Sequence, residues 1–158
     1  MTNAAHIDIA PVSDETIAAL LTRRAQEAPD AVYCYFKESV ISIGELNRRV
    51  DQLAGLLRDR GLRRGDRVAL MLPSHPDHIV AIFALAKLAL VRVPVNIHLK
   101  GASLAHLFDH LAPNALIADS EYAEPLRPEL AKVQRVLWSK PTFDGLAEAP
   151  GSEFADDG

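Results

Sequence analysis

At 158 residues and a formal net charge of −4, with its 17 Lys and Arg spread along the chain, the sequence excludes the clustered basic face that nucleic acid or an anionic membrane requires. Hydrophobic residues at 49% and charged residues at 24% exclude intrinsic disorder and suit one domain that buries a sizeable core. Cys34 is the only cysteine, which excludes an internal disulfide and a cysteine-built zinc site and fits a reducing compartment.

The N-terminal stretch MTNAAHIDIAPVSDE has no basic region followed by an apolar run, so no signal peptide is expected. In the first periodic segment Ile17, Leu20, Leu21 and Ala25 share one side of a helix that starts near Ser13 or Asp14 and ends at Ala28, before Pro29. AVYCYF and SVISI, separated by Lys37 and Glu38, then form a hairpin that lacks the usual Asn-Gly or Gly-Gly turn. Cys34 lies in that alternating run and is read as a small packed residue, not a nucleophile.

Ser42 and Glu45 have capping-box spacing, and Ile41 and Leu46 occupy the flanking staple positions. Leu46, Val50, Leu53, Ala54 and Leu57 recur at helical spacing, and Gly61 ends that helix. Gly55 inside it predicts the close approach of another backbone. RRGDRVALML reads as a turn and a buried strand, and PSHPDH as the start of the next helix, with Ser74 or His75 as N-cap, Pro76 in the first turn and Asp77 at the positive end of the dipole. The run over 79–91 is apolar nearly all round, is interrupted by Lys87, and is shorter than the ~20 residues a bilayer crossing takes, so no membrane span is expected.

VRVPV is a further strand. KGASLAHLFDHL is a helix broken by Pro113, ALIAD a strand, EYAEPLRPELAK a weaker helix and RVLWS a last strand. Strand, helix and strand joined by short connections give parallel strands, and the alternation predicts an α/β fold: a layered αβα unit with a mostly parallel sheet plus a short N-terminal β-hairpin. The ordered unit is expected over 1–140, and 141–158, acidic and rich in small residues, reads as a linker.

His75, Asp77 and His78 sit at one helical start and cannot supply the four converging ligands of a zinc site, and His106 and His110 have i, i+4 spacing without H-E-x-x-H, so no metal site is assigned. The eight glycines form neither G-x-G-x-x-G nor G-x-x-x-x-G-K-[ST], and no G-x-S-x-G elbow is present. No catalytic residue is assigned either.

Three stretches carry a resemblance: SIGELNRRVDQLAGLLRDRGLRRGDRVALML, PSHPDHIVAIFALAKLALVRVPVN and LKGASLAHLFDHLAPNALIAD. In order and spacing they resemble the adenylate-forming (AMP-binding) superfamily of acyl-CoA synthetases, adenylation domains of peptide synthetases and luciferases, over roughly residues 16 to 125. The chain departs from that pattern at Ala89 and Leu90, where Gly-Ala is usual, at Ile43, where Tyr or Phe is usual, and at Asn96-Ile97, where Asn-Pro is common. The resemblance implies the N-terminal subdomain of an AMP-forming acid-CoA ligase that uses ATP, CoA and Mg2+ to activate a small-molecule carboxylic acid. It also implies that the nucleotide-binding parts lie further along, so the 158 residues alone are expected to be inactive and to bind none of these cofactors.

By the same resemblance His98, with Lys100 behind it, stands where some acyl-CoA synthetases contact the nucleotide phosphate of CoA. The alternative is a free-standing, non-catalytic α/β binding module. A cytoplasmic protein with no nucleic-acid partner is expected, with self-association through an apolar surface left exposed on an isolated subdomain.

Overall fold

The computed structural model describes residues 15–139. The expected linker over 141–158, and Ser13 and Asp14 as a helix start, lie outside the described residues. Helix α1 spans Ile17–Glu27 and begins later than its periodicity suggested, because Thr16 takes the N-cap and its hydroxyl accepts a bond from the Ala19 amide at 3.1 Å. Strands β1 (Val32–Phe36) and β2 (Ser39–Ser42) form the antiparallel hairpin, with a bulge between Val32 and Cys34. Lys37 supplies the left-handed turn residue itself, at φ 53°.

Helix α2 spans Ile43–Asp59 with Ser42 as its N-cap; the Ser42 hydroxyl accepts from the Glu45 amide at 3.2 Å, while the Glu45 carboxylate turns outward to Arg48 at 2.8 Å. Ile41 and Leu46 are both buried, as a hydrophobic staple requires. Gly55 is buried within α2, but the tight approach described lies at Gly44, whose amide bonds the Pro29 carbonyl at 2.9 Å. A Cβ added at Gly44 would meet Pro29 Cβ at 3.0 Å, so only glycine lets the helix start so close to that loop.

The second sheet contains β3 (Arg67–Met71), β4 (Val91–Pro94), β5 (Ala115–Asp119) and β6 (Arg135–Ser139), all parallel, in the order β4-β3-β5-β6. Helix α3 (Pro76–Lys87) connects β3 to β4, and α4 (Gly101–Leu111) connects β4 to β5. Between β5 and β6 the expected weak helix is a short α5 (Ala123–Leu126) flanked by 3-10 turns.

Side chains alternate across the sheet. Val68, Leu70, Ala115, Ile117 and Leu137 join one core with α1, α2 and α3, while Ala69, Met71, Leu116 and Ala118 join another with α4 and α5. This is the expected α/β arrangement of helices on both faces of a parallel sheet, with Cys34 half-buried against the first core. No helix among the described residues is long and apolar enough to cross a membrane.

Two features of the first helical layer escaped the periodicity. Lys87, which interrupts the apolar run, is only 3% exposed and pairs directly with Asp51 of α2 while also donating to the Thr22 hydroxyl of α1 at 3.1 Å. Asn47 donates to the other Asp51 oxygen at 3.0 Å, so one buried ion pair ties all three helices together. Ala89, just after α3, holds a left-handed φ of 49°, a conformation that favours glycine, the residue expected there from the family resemblance. The Ala89 carbonyl accepts from the Gly65 amide at 3.0 Å, which fixes the turn into β4.

Two outcomes follow for stability. Lys87→Met leaves the Asp51 carboxylate buried without its counterion and should cost about 3–5 kcal/mol, whereas combining it with Asp51→Leu should recover most of the loss. Urea melts of both variants test this, and a single variant as stable as the parent would refute the pair's role. Ala89→Gly relieves roughly 1–2 kcal/mol of left-handed strain against about 0.4–1 kcal/mol of added unfolded-chain entropy. Its thermal midpoint should rise by about 2–4 °C for a net gain near 1 kcal/mol; an unchanged or lower midpoint contradicts the strain.

Candidate functional site

The chain steps from β3 outward to β4 on one side and continues through β5 to β6 on the other, so the sheet reverses its order of winding between β3 and β5. In open α/β sheets the crevice beyond the carboxyl ends at such a reversal is where ligands bind. Four segments meet that edge: 72–75 after β3, 95–100 after β4, Asp119 ending β5 and Ser139 ending β6.

The segment after β4 carries both residues expected to contact CoA. Asn96 shapes it: its side-chain oxygen accepts from the His98 amide at 2.9 Å, and its carbonyl accepts from the Leu99 amide at 3.0 Å. Ile97 packs its side chain against the second core. His98 and Lys100 are both exposed. Lys100 is the N-cap of α4 in extended backbone and makes no side-chain capping bond. A cation at a helix N-terminus opposes the dipole, so its charge adds to the positive field of the first α4 amides instead of being offset by it.

The PSHPDH cluster has a structural explanation that extends to its histidines. His75 is the N-cap of α3, its Nδ1 accepting from the Asp77 amide at 3.1 Å, with Pro76 in the first turn. Asp77 does more than complement the dipole, being only 2% exposed. Its Oδ2 accepts from the Ser139 hydroxyl at 2.5 Å, and its Oδ1 lies 3.8 Å from the Arg49 guanidinium of α2. One carboxylate therefore joins the end of β6, the start of α3 and the middle of α2.

Burial pushes the His78 imidazole below its ordinary pKa; a hydrogen bond with the Pro73 backbone works the other way, and the Arg92 charge adds to the lowering. Among the described residues no group of three or more His, Cys, Asp or Glu is placed to hold a metal ion.

Sequence reasoning missed Ser139 and Arg49. The signal for them was faint: an aspartate in an otherwise buried helical start needs partners, but nothing local says which strand end supplies them. Beside this cluster, a largely apolar groove of about 380 Å3 runs between β1 and the start of α3, lined by Cys34, Tyr35, Phe36, His75, Ile79 and Ile82. Phe36 meets His75 edge-on at 5.1 Å between ring centroids. The edge thus offers a turn bearing two cation-capable side chains, a buried carboxylate clamp and an apolar trough. The hydroxyl that meets a carboxylate there, Ser139 on Asp77, is buried and closed off from an incoming substrate.

Comparisons with known proteins bear on the family and the fold. A feruloyl-CoA synthase of Amycolatopsis sp is 37% identical over 102 residues, covering 65% of this chain and 21% of its own. Pyochelin synthetase PchE of Pseudomonas aeruginosa is 32% identical over 114 residues, covering 72% of this chain and 8% of its own. Among solved structures, a putative long-chain-fatty-acid CoA ligase of Rhodopseudomonas palustris superposes with a TM-score of 0.76 at 28% identity, covering 90% of this chain and 38% of that one. The chain spans 21% of the length of the feruloyl-CoA synthase it matches. With the family model for AMP-binding enzymes matching residues 21–156, the chain belongs to the AMP-binding enzyme family.

Proposed function

We propose that this chain is the N-terminal subdomain of a longer AMP-forming acid-CoA ligase. The observation that carries the reading is the family match across 21–156, supported by relatives named for feruloyl-CoA and for medium- and long-chain fatty acid CoA ligation. In the proposed reaction a substrate carboxylate attacks the α-phosphate of ATP, pyrophosphate leaves, and the thiol of CoA then displaces AMP from the acyl carbon.

The described residues do not fit the parts that would hold the triphosphate and Mg2+. The sequence has no glycine-rich phosphate cradle, and the described residues bring together no cluster of three acidic or imidazole ligands. No step of the reaction is therefore assigned to side chains of this segment. Its contribution is a rigid platform and, at the turn after β4, an anion contact. His98 and Lys100 project there beside the α4 N-terminus, where backbone amides and a lysine charge together suit a phosphate group.

In the longer protein, Lys100→Ala should raise the KM for CoA by about tenfold, the value of one charged phosphate contact, and His98→Ala by less. Both should leave ATP–pyrophosphate exchange unchanged, because that half-reaction precedes CoA. An unchanged CoA dependence removes the contact but not the ligase reading. Absence of acid-dependent exchange across aryl and fatty acids removes the ligase reading itself and favours a non-catalytic module.

A further inference from the structure

We propose that His106 and His110 form a two-point surface site for an imidazole-seeking divalent transition metal ion of the Ni2+, Cu2+ or Zn2+ class. The inference is independent of the ligase reading. It rests on how α4 presents its outer face.

Leu104 and Phe108 of α4 are buried in the second core, at 0% and 2% exposure. His106 and His110 follow each of them by two residues, about 200° further round the helix at 3.6 residues per turn. Both histidines therefore point away from the core, and both are exposed. Being four residues apart, they stand one turn above the other on the same face. Their rings already lie together, with centroids 6.5 Å apart and planes 19° from parallel.

A shared ion needs one nitrogen from each ring at ~2.0–2.1 Å. The exposed side chains can reach that by turning about their own bonds, with no helix movement. Water completes the coordination sphere, so the site is open and exchangeable. The preference for late first-row ions follows from imidazole as the ligand.

Charge around the pair is close to balanced. Asp109, between the two histidines in sequence, is held by Lys132 at 2.6 Å, and Lys132 also meets Glu129 at 2.8 Å. Arg67 lies at the end of α4, spending its guanidinium on the carbonyls of Leu111 at 2.7 Å and Ala112 at 3.1 Å. His110 sits in the last turn, where the negative end of the helix dipole favours a cation.

The test is titration of the tag-free 158-residue chain with Ni2+ by calorimetry at mildly alkaline pH, alongside His106→Asn and His110→Asn. The expected result is saturable uptake of one ion per chain. Each single variant should bind about 100-fold more weakly, the loss of a tethered second ligand, with circular dichroism unchanged because both positions are exposed. Either of two results overturns the proposal: no saturable uptake by the parent chain, or single variants that bind Ni2+ as the parent does, which would place the ion on other histidines.

Discussion

The constraint on which this structure depends is that the two central strands have no face left for water. Val68, Ala69, Leu70 and Met71 of β3, and Ala115, Leu116, Ile117 and Ala118 of β5, are all at most 2% exposed. A parallel pair buried in this way must be covered on both sides, and chain connectivity supplies the covers: α3 on one face, α4 on the other. The edge strands are under less pressure, and β4 leaves Val91 47% exposed. From this central pair the segments after β3 and β5 reach the carboxyl edge.

Much of that plan was written in local chemistry. The leucine and valine stripe of α2, the Ser42 cap and the Pro76-Asp77 helix start each have a short-range physical cause, so each could be read from neighbours in sequence. Features that depend on distant partners could not. Lys87 announced itself only as an interruption in an apolar run; that it meets Asp51 and Thr22 depends on how three helices pack. The same holds for Asp77, whose partner Ser139 lies 62 residues away. His98 and Lys100 were located through resemblance, and the turn that presents them is explained by the Asn96 side chain, a local device.

Ala89 shows the two kinds of information meeting. Resemblance marked the position as a departure from glycine, and the left-handed backbone supplies the reason why the departure matters. A composition-level comparison would have treated Gly to Ala as neutral. The turn it occupies is tied down by the Gly65 amide and by the Val91 amide bonding Asp66 at 2.9 Å, so the chain tolerates a strained residue where the surroundings fix the path.

The two edges of the sheet are treated differently by the sequence. At the amino edge the helix ends expose carbonyls, and arginines are committed to them: Arg67 to the end of α4 and Arg135 to the Arg60 carbonyl at 2.5 Å, while Arg60 in turn donates to the Val136 carbonyl of β6 at 3.3 Å. Such long-range side-chain caps close that edge and knit α2 to β6 and α4 to β3. At the carboxyl edge the first amides of α3 and α4 point outward instead, one helix capped by His75 and the other headed by Lys100 without a side-chain cap. The α4 start beside an exposed lysine leaves room for the proposed anion contact, whereas Arg60, Arg67 and Arg135 at the opposite edge are already committed to backbone carbonyls.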